Sequence, residues 1–297
     1  MAQKLRDVIL DISKLLENAG MINHRSEARS IVAKMLDRDV ANIHPAMENE
    51  ISDDDYNRIM ALAQRRASGE PLQLITGCVG FYNCVLACEK GVFIPRVETE
   101  LIVDSALKYL SDFPPDSIAS VLDLGTGCGA IPIALAISEP RHHYYGVDLS
   151  EKAVCLSRSN AMQNNVADKI NFIQGDYFEP IRNWDNHLFH LITANPPYIR
   201  TDEIPNLARD VKDWDPGLSL DGGADGLSHY RKIAAELHDF LTPDGVAIFE
   251  IAPEYVVSLK NILEIEGFEI SRIVKDYDNF DRVIDVTFSN AEGNVNP

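Results

Sequence analysis

The first part of the chain places apolar side chains at helical spacing. Between Leu5 and Leu16, apolar residues recur every three or four positions, which predicts an amphipathic helix with one buried face. The segments Glu27–Leu36 and Asp53–Arg66 carry the same pattern, and the second opens with acidic residues suited to the amino end of a helix. We therefore predict a small helical domain over residues 1–70.

The helical spacing stops at Gly69-Glu70-Pro71. Residues 71–97 then mix glycine, cysteine and aromatic residues in short apolar runs, and between Leu72 and Ile94 these runs predict a β-hairpin linker. From residue 98 to residue 297 the pattern changes again, to short apolar strands that alternate with helices. This third segment is predicted to be a separate domain.

The alternation in the third segment predicts an α/β fold with a doubly wound, Rossmann-like and mostly parallel sheet. The predicted helices are Leu101–Leu110, Ala130–Ile137, Glu151–Asn164 and Gly226–Leu241. The predicted strands are Ser120–Leu124, His143–Val147, Ile170–Gln174, Leu188–Ala194 and Gly245–Ile251. Finally, Phe268–Tyr277 and Arg282–Ser289 flank a short polar turn, so the sheet is predicted to end in an antiparallel pair.

A glycine-rich turn follows the first of these strands. Its glycines let the backbone approach a ligand closely, and the helix that follows offers unpaired N–H groups. The spacing is G-x-G-x-G, whereas a dinucleotide-binding loop reads G-x-G-x-x-G and leaves room for a pyrophosphate. This spacing favours S-adenosylmethionine as the cofactor. The candidate residues are Gly125, Thr126, Gly127, Cys128 and Gly129.

The next two strands also end in residues suited to this cofactor. Asp148, followed by Leu149, is placed to accept both ribose hydroxyls, although the same acid would serve NAD. Asp176 could accept a hydrogen bond from an adenine amino group, and Tyr177 could pack on the ring. Polar residues at three strand ends in register are more than turn residues would supply by chance.

The fourth strand leads into Asn195-Pro196-Pro197-Tyr198. A Pro-Pro pair removes two backbone donors and fixes two φ angles, so the carbonyls of Asn195 and Pro196 can face a pocket. With the asparagine oxygen as a further acceptor and Tyr198 as a flat surface, this tetrad suits a planar NH2 group. We predict that the tetrad is catalytic and that Asn195 also contacts the cofactor.

Composition excludes several classes of function. The formal charge of −19, with no cluster of lysine or arginine, argues against free DNA or RNA and favours a basic protein partner, although acidity also serves solubility. No apolar run is long enough to cross a membrane, and the first residues lack the apolar core of a secretory signal. The five cysteines include no Cys-x-x-Cys, and no metal site is predicted. We expect a cytoplasmic protein.

Taken together, the motifs resemble the HemK/PrmC family of N5-glutamine methyltransferases, which modify the glutamine of the Gly-Gly-Gln motif in peptide chain release factors. The resemblance rests on residues 69–77, 93–100, 123–129, 195–198, 215–216 and 221–227, and on Asp148. It implies that Gly125 to Gly129, Asp148, Tyr177 and Asn195 contact S-adenosylmethionine. It also implies that Asn195 to Tyr198 hold the substrate amide and that the helical domain recognises the release factor.

The chain departs from the family pattern at several positions. Val97 replaces a usual proline, Leu74 replaces an aromatic residue, and Glu250–Tyr255 stands where the family usually shows Glu-x-Gly-x-x-Gln. These departures keep open a small-molecule acceptor, including the cofactor's own amino acid moiety. A non-catalytic adaptor that binds S-adenosylmethionine is a third reading. Methylation of a DNA base uses a similar tetrad, but the charge of −19 argues against it.

Overall fold

The computed structural model describes residues 3–185 and 188–289, which form two compact units. One unit contains the chain up to Cys78 together with Ala208–Trp214, and the other contains Val79–Leu207 and the chain from Asp215 onward. The domain borders at residues 70 and 97 stay predictions. The last eight residues of the predicted third segment, 290–297, lie outside the described residues.

The first unit is helical, as the apolar spacing predicted. Its elements, numbered along the chain, are β1 (Gln3–Lys4), α1 (Leu5–Asn18), α2 (His24–Met35), β2 (Glu50–Ile51), α3 (Asp53–Ala67), α4 (Leu72–Thr76) and, further along the chain, α8 (Arg209–Lys212). The buried faces of α1, α2 and α3 form one apolar core. Beside that core, the Arg66 guanidinium donates to both carboxylate oxygens of Glu27, at 2.7 and 3.2 Å.

The predicted hairpin is shorter than expected, and all of it except Cys78 belongs to the second unit. Its strands are β3 (Cys78–Phe81) and β4 (Cys84–Ala87). The residues before it do not pair in the hairpin, because Leu72–Thr76 forms the short helix α4, which ends where Gly77 adopts a φ of +79°. A single helical turn is too short to show a helical period in a segment of mixed composition, so α4 was not predicted.

A seven-stranded sheet forms the centre of the second unit. Its strands are β5 (Ser120–Leu124), β6 (His143–Asp148), β7 (Ile170–Gln174), β8 (Phe189–Ala194), β9 (Leu241–Glu250), β10 (Phe268–Lys275) and β11 (Asp281–Phe288). The strand order is β10-β11-β9-β8-β5-β6-β7, and β11 runs antiparallel to both of its neighbours. The prediction of a mostly parallel sheet with a final antiparallel strand is confirmed.

Helices cover both faces of this sheet. They are α5 (Glu100–Ser111), α6 (Ala130–Ser138), α7 (Glu151–Gln163), α9 (Ser228–Phe240) and α10 (Val256–Ile265). Side chains of α5, α6 and α7 share one apolar cluster, and those of α9 and α10 share the other. The central strands β5 and β8 are buried on both faces and are therefore nearly continuous apolar runs. Helix α10 was not predicted, although its apolar residues Val256, Leu259 and Leu263 stand at helical spacing.

The sheet positions its loops at one edge. Because β5 to β9 are parallel, their carboxyl ends meet there, with Leu124 paired to both Val147 and Ala194. From β5 the chain winds through β6 and β7 on one side, then continues in β8 and β9 on the other, so the strand order reverses between β5 and β8. Open α/β sheets bind their ligands at such a reversal.

No helix in the described part of the chain is both long enough and apolar enough to cross a lipid bilayer.

Candidate functional site

The glycine-rich turn leaves open space above the end of β5. Gly125, Gly127 and Gly129 have φ angles of +72°, +55° and +85°, a region that only glycine occupies without strain. A Cβ added to Gly125 or Gly127 would meet no atom of the described residues within 4 Å. The amides of Gly125 and Thr126 both donate to the carbonyl of Val147, which fixes the turn to the neighbouring strand. The turn thus forms an open backbone cradle.

Asp148 braces this cradle from the end of β6. Its Oδ2 accepts from the Gly127 amide at 2.8 Å, and its Oδ1 accepts from the Ser150 amide at 2.8 Å. Burial raises the pKa of Asp148, while the two backbone hydrogen bonds act in the opposite direction. Each carboxylate oxygen can accept a second hydrogen bond, so the group can still take hydroxyl donors. The next residue, Leu149, exposes its apolar side chain.

The remaining residues of the turn are held from below. Thr126 and Cys128 are buried, and the Cys128 carbonyl accepts from Asn160 Nδ2 at 2.9 Å. Burial raises the pKa of the Cys128 thiol well above its ordinary range, so the thiol stays protonated. Asp123, just before the turn, accepts from the Thr193 hydroxyl at 2.7 Å, and burial raises its pKa to about 7.

Asp176 and Tyr177 occupy the end of β7, and both contact α9. The Asp176 carboxylate forms an ion pair with Lys232. If Asp176 accepts from an adenine amino group, as predicted, the same carboxylate must serve both partners. Tyr177, with a φ of +50°, has a buried ring whose hydroxyl lies 2.8 Å from His229 Nδ1. His229 Nε2 lies 3.1 Å from the carbonyl of Asp221, which can only accept. The ring therefore donates at Nε2 and accepts the Tyr177 hydroxyl at Nδ1.

The tetrad begins where β8 ends. Asn195 Nδ2 donates to the Thr99 hydroxyl at 3.0 Å, Pro196 is buried, and the Tyr198 hydroxyl donates to Glu250 Oε1 at 3.3 Å. Burial raises the pKa of Tyr198 well above its ordinary range. Tyr198 is consequently a neutral flat surface and does not act as a base.

The loop 221–227 supports the tetrad from behind. The Gly222 amide donates to the Ile199 carbonyl at 2.7 Å, and the Ile199 amide donates to the Leu220 carbonyl at 3.0 Å. A Cβ at Gly222 would lie 2.7 Å from Tyr198 Cα, so only glycine permits this close approach. This explains why a glycine-rich segment follows the tetrad in the sequence.

Glu250, at the carboxyl end of β9, is the residue that the sequence did not assign to the site. It is 2% exposed, and its Oε2 accepts from the Thr99 hydroxyl at 2.7 Å. Burial raises the pKa of Glu250 to about 7, opposed by hydrogen bonds from Thr99 and Tyr198 and by the charge of Arg282, while Glu98 adds to the rise. A lone acid at the end of the apolar run 246–251 was the signal that could have identified it.

The sheet edge brings these groups together in two sets. The glycine turn and Asp148 share hydrogen bonds, and the tetrad shares hydrogen bonds with Thr99 and Glu250. Tyr177 is linked through His229 to the loop that supports Tyr198. Among the described residues, no group of three or more histidine, cysteine or acidic side chains is placed to hold a metal ion.

Comparisons with known proteins find relatives over most of the chain. The model of the methyltransferase small domain family matches residues 89–210, and that of the PrmC N-terminal domain matches residues 7–77. A release factor glutamine methyltransferase of Thermodesulfovibrio yellowstonii is 37% identical over 93% of this chain and 96% of its own length. A release factor glutamine methyltransferase of Agrobacterium fabrum is 35% identical over 91% of this chain and 93% of its own length.

A solved structure supports the fold alone. The catalytic domain of hMettl16, in complex with the MAT2A 3′UTR hairpin 6, matches 83% of this chain and 85% of its own chain. The TM-score is 0.52 at 13% sequence identity.

Proposed function

Because the chain belongs to the family of release factor glutamine methyltransferases, we propose that it methylates the side-chain amide of a glutamine in a peptide chain release factor. The chain is a methyltransferase that uses S-adenosylmethionine. When bound, this cofactor supplies an electrophilic methyl group on a sulfonium, which becomes a neutral thioether once the methyl has left.

The open cradle fits the amino acid end of the cofactor. Gly125 and Gly127 have open space where a side chain would stand, so a ligand can approach the backbone there. The amino end of α6 follows directly after this turn. Asp148, already fixed by two amides, would accept the ribose hydroxyls with its remaining lone pairs. Leu149 and Tyr177 would cover the adenine ring, with Asp176 at its margin, while Thr126 and Cys128 would contact the cofactor as part of the glycine turn.

The tetrad would hold the glutamine amide. The Asn195 side-chain oxygen and the Pro196 carbonyl would each accept one N–H, and Tyr198 would pack against the amide plane. An amide nitrogen is a weak nucleophile because its lone pair is delocalised into the carbonyl, so orientation supplies much of the acceleration. The nitrogen held by Asn195 and Pro196 would form the new bond to the methyl carbon as the bond from that carbon to sulfur breaks, and the methylated amide would then lose its proton to water. Acceptor dipoles aimed at the developing positive charge stabilise this step.

The pairing of β5 with β8 is the observation that carries this proposal. Leu124 and Ala194 are register partners, so Gly125 and Asn195 leave the sheet side by side at its ligand-binding edge. A methyl donor in the glycine cradle and an amide on the tetrad would therefore be neighbours.

The helical unit is proposed to recognise the release factor. Its match to the PrmC N-terminal domain supports this role. The net charge of −19 belongs to the whole chain and suits a basic protein partner better than a nucleic acid. A release factor substrate places the reaction in the cytoplasm.

The test is a transfer assay with methyl-labelled S-adenosylmethionine and a purified release factor. We expect label on the release factor with the wild-type protein and at least a hundredfold slower transfer with Asn195→Ala, because that variant loses an acceptor at the reacting nitrogen. Asn206→Ala, an asparagine outside the predicted site, is the matched control and should transfer at the wild-type rate.

Omitting the release factor separates the alternatives. Consumption of the cofactor at the same rate without a protein acceptor would overturn the proposal in favour of a small-molecule acceptor or the cofactor's own amino acid moiety. Tight cofactor binding with no turnover under either condition would favour a non-catalytic adaptor.

A further inference from the structure

We propose that Thr99 and Glu250 are positioning residues, which hold the Asn195 amide with its oxygen towards the methyl acceptor. The inference rests on the proposed function, because it explains how the tetrad presents an acceptor to an NH2 group. It concerns two residues that the predicted site did not include.

The direction of each hydrogen bond follows from the chemistry of the groups. An ionised carboxylate has no hydrogen to give, so the Thr99 hydroxyl must donate to Glu250 Oε2, where the distance is 2.7 Å. A hydroxyl has one hydrogen, so the same oxygen can only accept from Asn195, 3.0 Å away. Only the NH2 end of the Asn195 side chain can donate. Its oxygen must therefore point away from Thr99.

This orientation matters because the two ends of an asparagine amide have nearly the same shape. The terminal torsion is broad and roughly two-fold, so packing alone discriminates weakly between the two orientations. A flipped Asn195 would present its own NH2 to the substrate NH2, and two donors would face each other. The hydrogen bonds from Asn195 to Thr99 and from Thr99 to Glu250 exclude this flipped orientation.

Glu250 orients the other side of the clamp as well. Its second carboxylate oxygen, Oε1, accepts from the Tyr198 hydroxyl at 3.3 Å. The same carboxylate therefore orients Tyr198 directly and Asn195 through Thr99. The Tyr230 hydroxyl donates to the Glu250 carbonyl at 2.6 Å and holds its backbone. Thr99 and Glu250 are 3% and 2% exposed, so bulk water cannot readily take the place of either partner.

The experiment compares Thr99→Val with Thr99→Ser in the full chain, using a release factor as acceptor. Valine keeps the shape but removes the hydroxyl, and serine keeps the hydroxyl. We expect kcat to fall by about 10- to 100-fold in Thr99→Val and to return to within about threefold of wild type in Thr99→Ser. Thermal unfolding of both variants beside the wild-type protein shows whether they are folded, which separates positioning from loss of structure.

A wild-type kcat in Thr99→Val, with release factor methylation intact, would overturn the positioning role and leave the proposed function standing. Failure of the wild-type protein to methylate any release factor would overturn the proposed function instead. In that case, hydrogen exchange of the Asn195 side-chain NH2, assigned by NMR through its loss in Asn195→Asp, still decides. Protection in wild type that is lost in Thr99→Val supports the orientation, and equal exchange in both contradicts it.

Discussion

Replacement of Asp148 by asparagine tests the cofactor cradle most sharply. In the wild-type chain both carboxylate oxygens accept backbone N–H groups, from Gly127 and from Ser150. Asparagine has one oxygen and one NH2, so one of these two amides must face a donor. The glycine turn or the start of α7 then loses a hydrogen bond, and the site loses a charged acceptor for the ribose.

The expected magnitude follows from these contacts. A hydrogen bond to a charged group is worth about 1.5–3 kcal/mol, against about 1 kcal/mol for a neutral pair. Loss of the hydrogen bond from one ribose hydroxyl to the carboxylate, and weakening of the bond from the other, should cost about 2–3 kcal/mol of binding free energy, which is roughly a 30- to 150-fold rise in Kd.

Isothermal titration of S-adenosylhomocysteine into both proteins gives the Kd values. Asp168→Asn, which removes the same charge from an exposed carboxylate, is the matched control and should bind like wild type. Thermal unfolding without ligand verifies that Asp148→Asn is folded. A Kd for the folded variant within threefold of wild type would refute the role given to Asp148.

Three further predictions concern acidity, a buried ion pair and close packing. Because the Glu250 pKa is raised to about 7 and the chain of hydrogen bonds needs the ionised form, kcat should fall about tenfold from pH 8 to pH 6. In stopped assays, kcat of Glu250→Gln should no longer fall between pH 8 and pH 6. The same fall in the variant as in wild type would contradict the role of Glu250 in this pH dependence. Arg66→Met leaves the Glu27 carboxylate buried without its guanidinium partner and should lower the free energy of unfolding by about 3 kcal/mol in urea titrations. Gly146→Ala puts a Cβ 2.7 Å from the Phe172 ring and should cost about 1–3 kcal/mol by the same measurement, whereas Gly80→Ala, whose Cβ has open space, should cost under about 1 kcal/mol.

Most of the fold was predictable because periodicity is a local signal. Parallel strands such as Ser120–Leu124 and Ile170–Gln174 were predicted at their observed bounds, since each is a short segment with apolar residues between two turns. Among the elements that were missed, α4 is a single turn and α8 has four residues, so neither is long enough to show a helical period. Helix α10 was missed although its apolar residues do stand at helical spacing. Strand β9 begins at Leu241, four residues before the predicted Gly245. The difference arises because the first residues of β9 are too polar to predict a strand.

The candidate site was predicted where its residues form a contiguous motif or stand at the end of a strand. The glycine turn and the tetrad are contiguous motifs, so their chemistry could be read directly. Thr99 contacts Asn195 across 96 positions and Glu250 across 151 positions, and no local pattern records such a pair. Likewise, the link from Tyr177 to His229 depends on how β7 and α9 pack. Hydrogen bonds between distant elements require the three-dimensional structure.

The most direct test of the account is to map the methyl group on the release factor. Tandem mass spectrometry of the peptides from a completed reaction should show one added methyl per release factor, on the side-chain nitrogen of a glutamine, and none after that glutamine is replaced by glutamate. A methyl on any other residue, or an unmodified release factor after the cofactor has been consumed, would contradict the account.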